Sequence, residues 1–100
     1  MPLSRLKHLN TKECLWVYVL RILKDGPVHG YAIRQEIKNR FGFQPGTMTA
    51  YKVLYLLNRK GYVKHTMIGR KKQYAITSSG KRTLEQASDF YQALGKLLRR

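Results

Sequence analysis

The 100-residue chain is the size of one domain, 43% of it is apolar, and 20 Lys and Arg stand against five Asp and Glu, a formal net charge of +15. That apolar share excludes a disordered chain, and the apolar run from Cys14 to Leu20 stops at Arg21, too short for a membrane span and too far along for a simple signal peptide. A lone cysteine excludes an internal disulfide and fits a cytoplasmic setting, and His8, His29 and His65 have no metal-ligand spacing to Cys14 or to one another, so neither a metal nor another cofactor is expected.

In chain order, Asn10 followed three residues later by Glu13 reads as a capping box that starts the first helix near Asn10 or Thr11. Leu15, Trp16, Val19, Leu20, Ile22 and Leu23 recur at helical spacing, with Cys14 as a small buried hydrophobe, and Asp25-Gly26-Pro27 ends the run. A second helix runs from His29 or Gly30 to Arg40 on Tyr31, Ile33 and Ile37, with Gly42 as its C-terminal cap and Phe41 and Phe43 pinning the following loop to the core. After the Pro45-Gly46 turn, Thr47 or Thr49 caps a third helix that ends at Lys60 with Gly61 as its stop. Met48, Val53, Leu54 and Leu57 are its expected apolar stripe, and Lys52, Tyr55 and Arg59 its polar or amphipathic side.

From Tyr62 the period changes to two. Val63, His65 and Met67 alternate with Tyr62, Lys64, Thr66 and Ile68, and Tyr74 and Ile76 continue on the return, a β-hairpin with Gly69, Arg70, Lys71 and Lys72 around its tip. Thr77 or Ser78 then caps a last helix in which Leu84, Ala87, Tyr91, Leu94 and Leu98 form a heptad seam, widened by Phe90 and Leu97. So long a seam with so little core left to cover points to pairing with a second copy, and these five residues are the expected homodimer interface. No repeat, linker or composition break divides the chain. It reads as one domain over 1–100, with the hairpin-bearing unit at 10–78 and the dimerisation helix at 79–100.

Three helices followed by a hairpin is the order of a winged helix-turn-helix, mainly α with a β-hairpin wing. The charge map agrees. Between Glu36 and Glu85 there is no acid and there are eleven cations. Solvated faces normally mix signs, so this distribution points to a polyanion, with nucleic acid the first candidate and an anionic membrane surface the second, and the winged-helix order of elements makes double-stranded DNA the expected partner. In such a fold the start of the third helix reaches base edges in the major groove, which assigns Thr47, Thr49, Tyr51 and Lys52 to DNA, with Tyr55 and Arg59 further along. His29, at the start of the second helix, joins them beside free N–H groups that suit phosphate. Arg70, Lys71 and Lys72 form a cationic wing tip for the backbone or the minor groove. No catalytic constellation is present, so no enzyme is expected.

The stretch Leu23-Lys24-Asp25-Gly26-Pro27-Val28-His29-Gly30-Tyr31-Ala32-Ile33 resembles the signature of the PadR family of transcriptional regulators. Thr49-Ala50-Tyr51, with Leu54, Leu57 and Gly61-Tyr62-Val63, is similar to the family's recognition-helix block, and Gly69 to Thr77 with Gly80 to Leu84 to its wing and wing exit. The likeness covers about 15–85. Met48 stands where the family commonly has Gly, Lys52 where it has Pro, and Asn58 where an acid is frequent. The resemblance implies a dimeric regulator, often a repressor, on a palindromic operator, of the small subgroup that dimerises through one C-terminal helix. Some relatives bind an effector between subunits, and Trp16 is an aromatic for such a hydrophobic ligand or, in the plainer reading, for the core or the dimer interface. The rival to a specific regulator is an architectural protein that coats DNA without sequence preference, since a charge of +15 exceeds what one operator requires.

Overall fold

A computed structural model describes residues 2–100. The elements are α1 (Pro2–Glu13), α2 (Leu15–Lys24), β1 (Val28–His29), a single 3-10 turn at Gly30–Ala32, α3 (Ile33–Phe41), α4 (Thr47–Arg59), β2 (Val63–Ile68), β3 (Lys71–Ile76) and α5 (Ser78–Leu98). This is the expected class, mainly helical with a small antiparallel sheet.

α2 is the hub. Leu15, Val19, Leu20, Ile22 and Leu23 are all buried, and the helix packs against α1, α3, α4, α5 and β3. Ile33 and Ile37 of α3, Leu54 and Leu57 of α4, Val63, Tyr74 and Leu84 complete one core. Each fully buried Leu or Ile contributes about 1.5–3 kcal/mol, so this single cluster is the main source of stability. Tyr18 meets Phe41 and Phe43 edge-on, each with ring centroids 4.9 Å apart, which pins the α3–α4 loop as the sequence suggested.

Several expectations change. The second helix does not begin at His29 or Gly30: His29 ends β1, where it pairs with Gln73, Gly30–Ala32 forms the 3-10 turn, and α3 starts at Ile33. The first helix does not begin at a capping box: Asn10 lies inside α1, and the break falls at Cys14, which precedes α2 without capping it through its side chain. The Asn10 amide is used elsewhere, donating to the Tyr18 hydroxyl (3.0 Å) and accepting from the Tyr91 hydroxyl (3.2 Å). Cys14 is half-buried rather than buried, because the helix break carries it to the α5 side. α4 begins after Gly46, whose extended backbone makes the cap, so Thr47 is the first helical residue and neither Thr47 nor Thr49 is the N-cap. Met48 does not belong to the apolar stripe of α4; it is 86% exposed, and Ala50 takes the core position instead. His65 and Met67 are exposed, because beyond Val63 the β2 strand leaves the core and both of its faces meet solvent.

The sheet has order β1-β3-β2, so the hairpin carries an extra two-residue strand that pairs Val28 with Tyr74 and His29 with Gln73. β2 and β3 run antiparallel from Val63↔Ile76 to Ile68↔Lys71. That register leaves a two-residue turn, Gly69-Arg70, with Gly69 at φ 64°, a position that favours glycine in tight hairpins. Only Arg70 of the three wing cations therefore sits in the turn; Lys71 and Lys72 are the first two residues of β3. Thr77 caps α5 as expected: its hydroxyl accepts from the Gly80 N–H (3.1 Å) and donates to the Gly61 carbonyl (2.7 Å), tying the helix start to the base of the wing.

Candidate nucleic-acid interface

The side chains of α4 sort by angle. At about 100° per residue, Ala50, Leu54 and Leu57 point one way, and Met48, Lys52, Tyr55 and Arg59 point the opposite way. Burial follows this division: the first three are buried and the last four are exposed. The exposed stripe runs about 16 Å along the helix. Thr47, Thr49 and Tyr51 are also exposed and lie near its N-terminal end. The first turn of α4 carries no acid, which leaves its free N–H groups available to an anion. Its approach angle is fixed from α3, where Arg34 Nε donates to the Pro45 carbonyl at 2.7 Å across the connecting loop.

Tyr51, Tyr55 and Asn58 form one wall of a groove of about 530 Å³, and Lys71, Lys72 and Tyr74 form the other, with Gly30 and Tyr31 between them. A side chain at Gly30 would press on Tyr74, whose Cε2 is 3.0 Å from where a Cβ would stand, so glycine is what lets the Tyr74 ring close the floor. Burial raises the Tyr74 hydroxyl above its usual pKa, and the neighbouring Tyr51 adds to the shift. The groove is lined by tyrosine rings beside two lysine ammonium groups, a surface that can stack on sugars or bases and neutralise phosphate.

His29 stands at the edge of this region. Its ring stacks on Tyr31 (5.3 Å, 17°), and the Lys71 ammonium lies 4.6 Å from the centroid of the same tyrosine. The His29 Nδ1 is buried and has no hydrogen-bond partner among the described residues. Of the residues assigned to DNA from the sequence, Thr47, Thr49, Tyr51, Lys52, Tyr55 and Arg59 gather on α4, Lys71 and Lys72 face them across the groove, His29 lies behind Tyr31, and Arg70 stands apart at the wing turn. Tyr31, Asn58, Tyr74 and Met48 were not among those assigned. Tyr31 carried a signal, because it sits in the Gly-Tyr pair beside His29; Met48 was missed because its apolar character alone placed it in the core.

The residues of the α5 seam divide. Leu84 is buried in the core of its own chain, Ala87 is half-buried, and Tyr91, Leu94 and Leu98 are exposed, Leu98 by 76%. The pKa of the Tyr91 hydroxyl is pushed up to about 12, by desolvation first and by the neighbouring Cys14 thiol second. Trp16 is half-buried and lines shallow apolar grooves on either side, one with Cys14, Phe90 and Tyr91.

No helix among the described residues is long and apolar enough to cross a membrane. No protein of curated function matches the chain in sequence. Solved structures do resemble it. A transcriptional regulator from Clostridium thermocellum superposes with a TM-score of 0.80 at 21% identity, over 89% of this chain and 93% of that one. A PadR family transcription regulator from Clostridium difficile gives 0.77 at 22%, over 84% and 93%. Bacillus subtilis PadR, crystallised with operator DNA, gives 0.62 at 29% identity, over 72% of this chain and 45% of that one. The first two show the winged-helix fold, and none of the three is an enzyme by description. The family model of the PadR-like transcriptional regulators matches residues 19–86, which take in the later part of the hub helix, the α4 stripe, the wing and the start of α5; the chain belongs to this family of DNA-binding transcriptional regulators.

Proposed function

We infer that the chain is a sequence-specific repressor that binds a palindromic operator in double-stranded DNA as a homodimer. The observation that carries this reading is the α4 stripe: a cationic, hydroxyl-rich and aromatic helix face turned wholly away from the core, flanked by a wing whose lysines face it. In this reading α4 enters the major groove with Thr47, Thr49, Tyr51 and Lys52 foremost, Tyr55 and Arg59 follow, and His29, Arg70, Lys71 and Lys72 hold the flanking backbone. The likeness to Bacillus subtilis PadR, crystallised in complex with operator DNA, supports operator DNA as the partner.

Dimerisation is supported by the apolar surface the chain leaves open. Tyr91, Leu94 and Leu98, with Phe90 and Leu97, form a continuous exposed strip on α5, and Leu3, Leu6 and Leu9 are exposed on α1. Isolated exposed apolar side chains are ordinary; a strip of this length on one helix marks an interface. In this picture the whole chain acts as one unit, 10–78 binding DNA and 79–100 pairing the copies. Two copies place their α4 helices about one turn of DNA apart, roughly 34–36 Å. A cytoplasmic setting follows from that role. A hydrophobic effector, if the protein takes one, enters beside Trp16, and quenching of its fluorescence together with loss of DNA binding is the sign of it.

A second reading is favoured by one number. The net charge of +15 suits a protein that coats DNA without sequence preference. Fluorescence anisotropy across a salt series separates the two, with the duplex upstream of the chain's own gene against a random duplex. A saturable complex of one dimer that survives random competitor supports the regulator, and equal affinity with many copies bound along each duplex overturns it.

A further inference from the structure

Resting on the reading that α4 docks in the major groove, we propose that Met48 is a specificity-determining residue that reads the 5-methyl group of a thymine. Met48 is the most exposed large apolar residue described, at 86%, and it occupies the second position of α4. Its own helix buries Ala50, Leu54 and Leu57 on the opposite side, so no rotation about the helix axis brings Met48 to the core while those three remain there.

Its surroundings identify what covers it. Lys52 lies one turn along on the same stripe, Thr47 and Thr49 are its chain neighbours and are exposed, and the first helical turn carries no acid. A rim of one lysine, two hydroxyls and the free N–H groups of a helix start, with no acid among them, suits the phosphate-flanked groove of DNA better than a second protein surface of mixed charge. Within the major groove the bases offer mainly hydrogen-bonding edges. The thymine methyl is the apolar exception and the natural partner of an apolar side chain. The unbranched thioether chain reaches beyond its threonine neighbours and adapts its shape to the groove floor. Lys52 and the free N–H groups of the helix start neutralise the phosphates on either side, which leaves Met48 the role of discriminating thymine from cytosine.

The full chain is used to select its preferred duplex from a random pool. Each thymine of that duplex is then replaced in turn by deoxyuridine, which lacks only the methyl group, and Kd is read by anisotropy for the native chain, Met48→Leu and Met48→Ala. At one thymine per half-site the replacement is expected to weaken the native chain and Met48→Leu about threefold to fivefold, the effect of one buried methyl, and to leave Met48→Ala unchanged within twofold. Since Met48 packs on nothing in the core, both variants are expected to melt with the native chain, which keeps a folding defect from imitating the result. A duplex bound tightly with no thymine penalty, or with the same penalty in Met48→Ala, overturns the role of Met48 and leaves the regulator reading in place. A pool that yields no preferred duplex overturns both.

Discussion

Gly80→Ala is the sharpest test of how the wing is joined to α5. Gly80 sits in the first turn of α5 against the backbone of Tyr62. A Cβ there would fall well inside van der Waals contact of the Tyr62 carbonyl oxygen, 2.7 Å from Ile76 Cγ1 and 3.1 Å from the Tyr62 carbonyl carbon. The obstacle is backbone, so no side-chain rotation relieves it, and the start of α5 must move away from β2. That movement strains three bonds at one corner: Thr77 N–H to Tyr62 O (3.1 Å), Thr77 Oγ1–H to Gly61 O (2.7 Å) and the cap from Gly80 N–H to Thr77 Oγ1 (3.1 Å). Overpacking costs about 1–3 kcal/mol, loss of a cap about 1 and each weakened hydrogen bond about 0.5–1.5, while the better helix propensity of alanine returns at most about 1. The net expectation is a loss of about 2–6 kcal/mol, or roughly 10–50 °C in Tm for a domain of this size. Urea and thermal unfolding by circular dichroism at fixed protein concentration measure it, with Lys81→Ala, an exposed neighbour in the same turn, expected within about 0.5 kcal/mol of the native chain. A Gly80→Ala variant as stable as Lys81→Ala would refute the close approach of α5 to the wing base. Because the same corner sets the wing's angle, DNA affinity is expected to fall even where the variant is fully folded.

Leu94→Glu places a charge in the exposed strip of α5, and sedimentation is expected to show monomers with weakened DNA binding; a dimer of unchanged mass would remove α5 as the interface. Changing Arg70, Lys71 and Lys72 to Ala is expected to flatten the slope of log K against log salt by about one to three units, and an unchanged slope would return these side chains to the solvated surface. Asp25 accepts from Arg21 Nη1 at 3.0 Å and from Arg40 Nη1 at 2.6 Å, and these two guanidinium groups hold its carboxyl below the usual carboxylate value. A carboxyl whose pKa is lowered by folding stabilises the fold above its unfolded pKa and stops doing so as pH falls through the folded value. Asp25→Asn is therefore expected to lower Tm slightly at neutral pH, with the difference from the native chain vanishing in strong acid; a difference that persists there would assign the effect to something other than charge. Since Asp25 is more than half exposed, the neutral-pH effect is small and shrinks with salt.

The sequence by itself determined the order of α2, α3, α4, the hairpin and α5, because several of their boundaries are set by local chemistry: Gly42 in the left-handed conformation ends α3, Thr77 caps α5, and Gly69 turns the hairpin. It also determined the hub, since Val19, Leu20, Ile22 and Leu23 are too apolar to leave in water. What it left open is whatever depends on the geometry of contact. α1 buries no residue in its own chain, so it carried too weak an apolar stripe to be seen, and Asn10 looked like a cap when its amide bridges Tyr18 and Tyr91. β1 is two residues long and exists only because β3 offers it an edge. Met48 illustrates the division most clearly. Its apolar chemistry is written in the chain and suggested the core, but the rotation of α4 is set by Ala50, Leu54 and Leu57 docking on α2, and that packing turns Met48 out among the cations. Composition says which side chains avoid water, whereas only the assembled core, which must choose one face of each helix, says which of them are left to meet a partner.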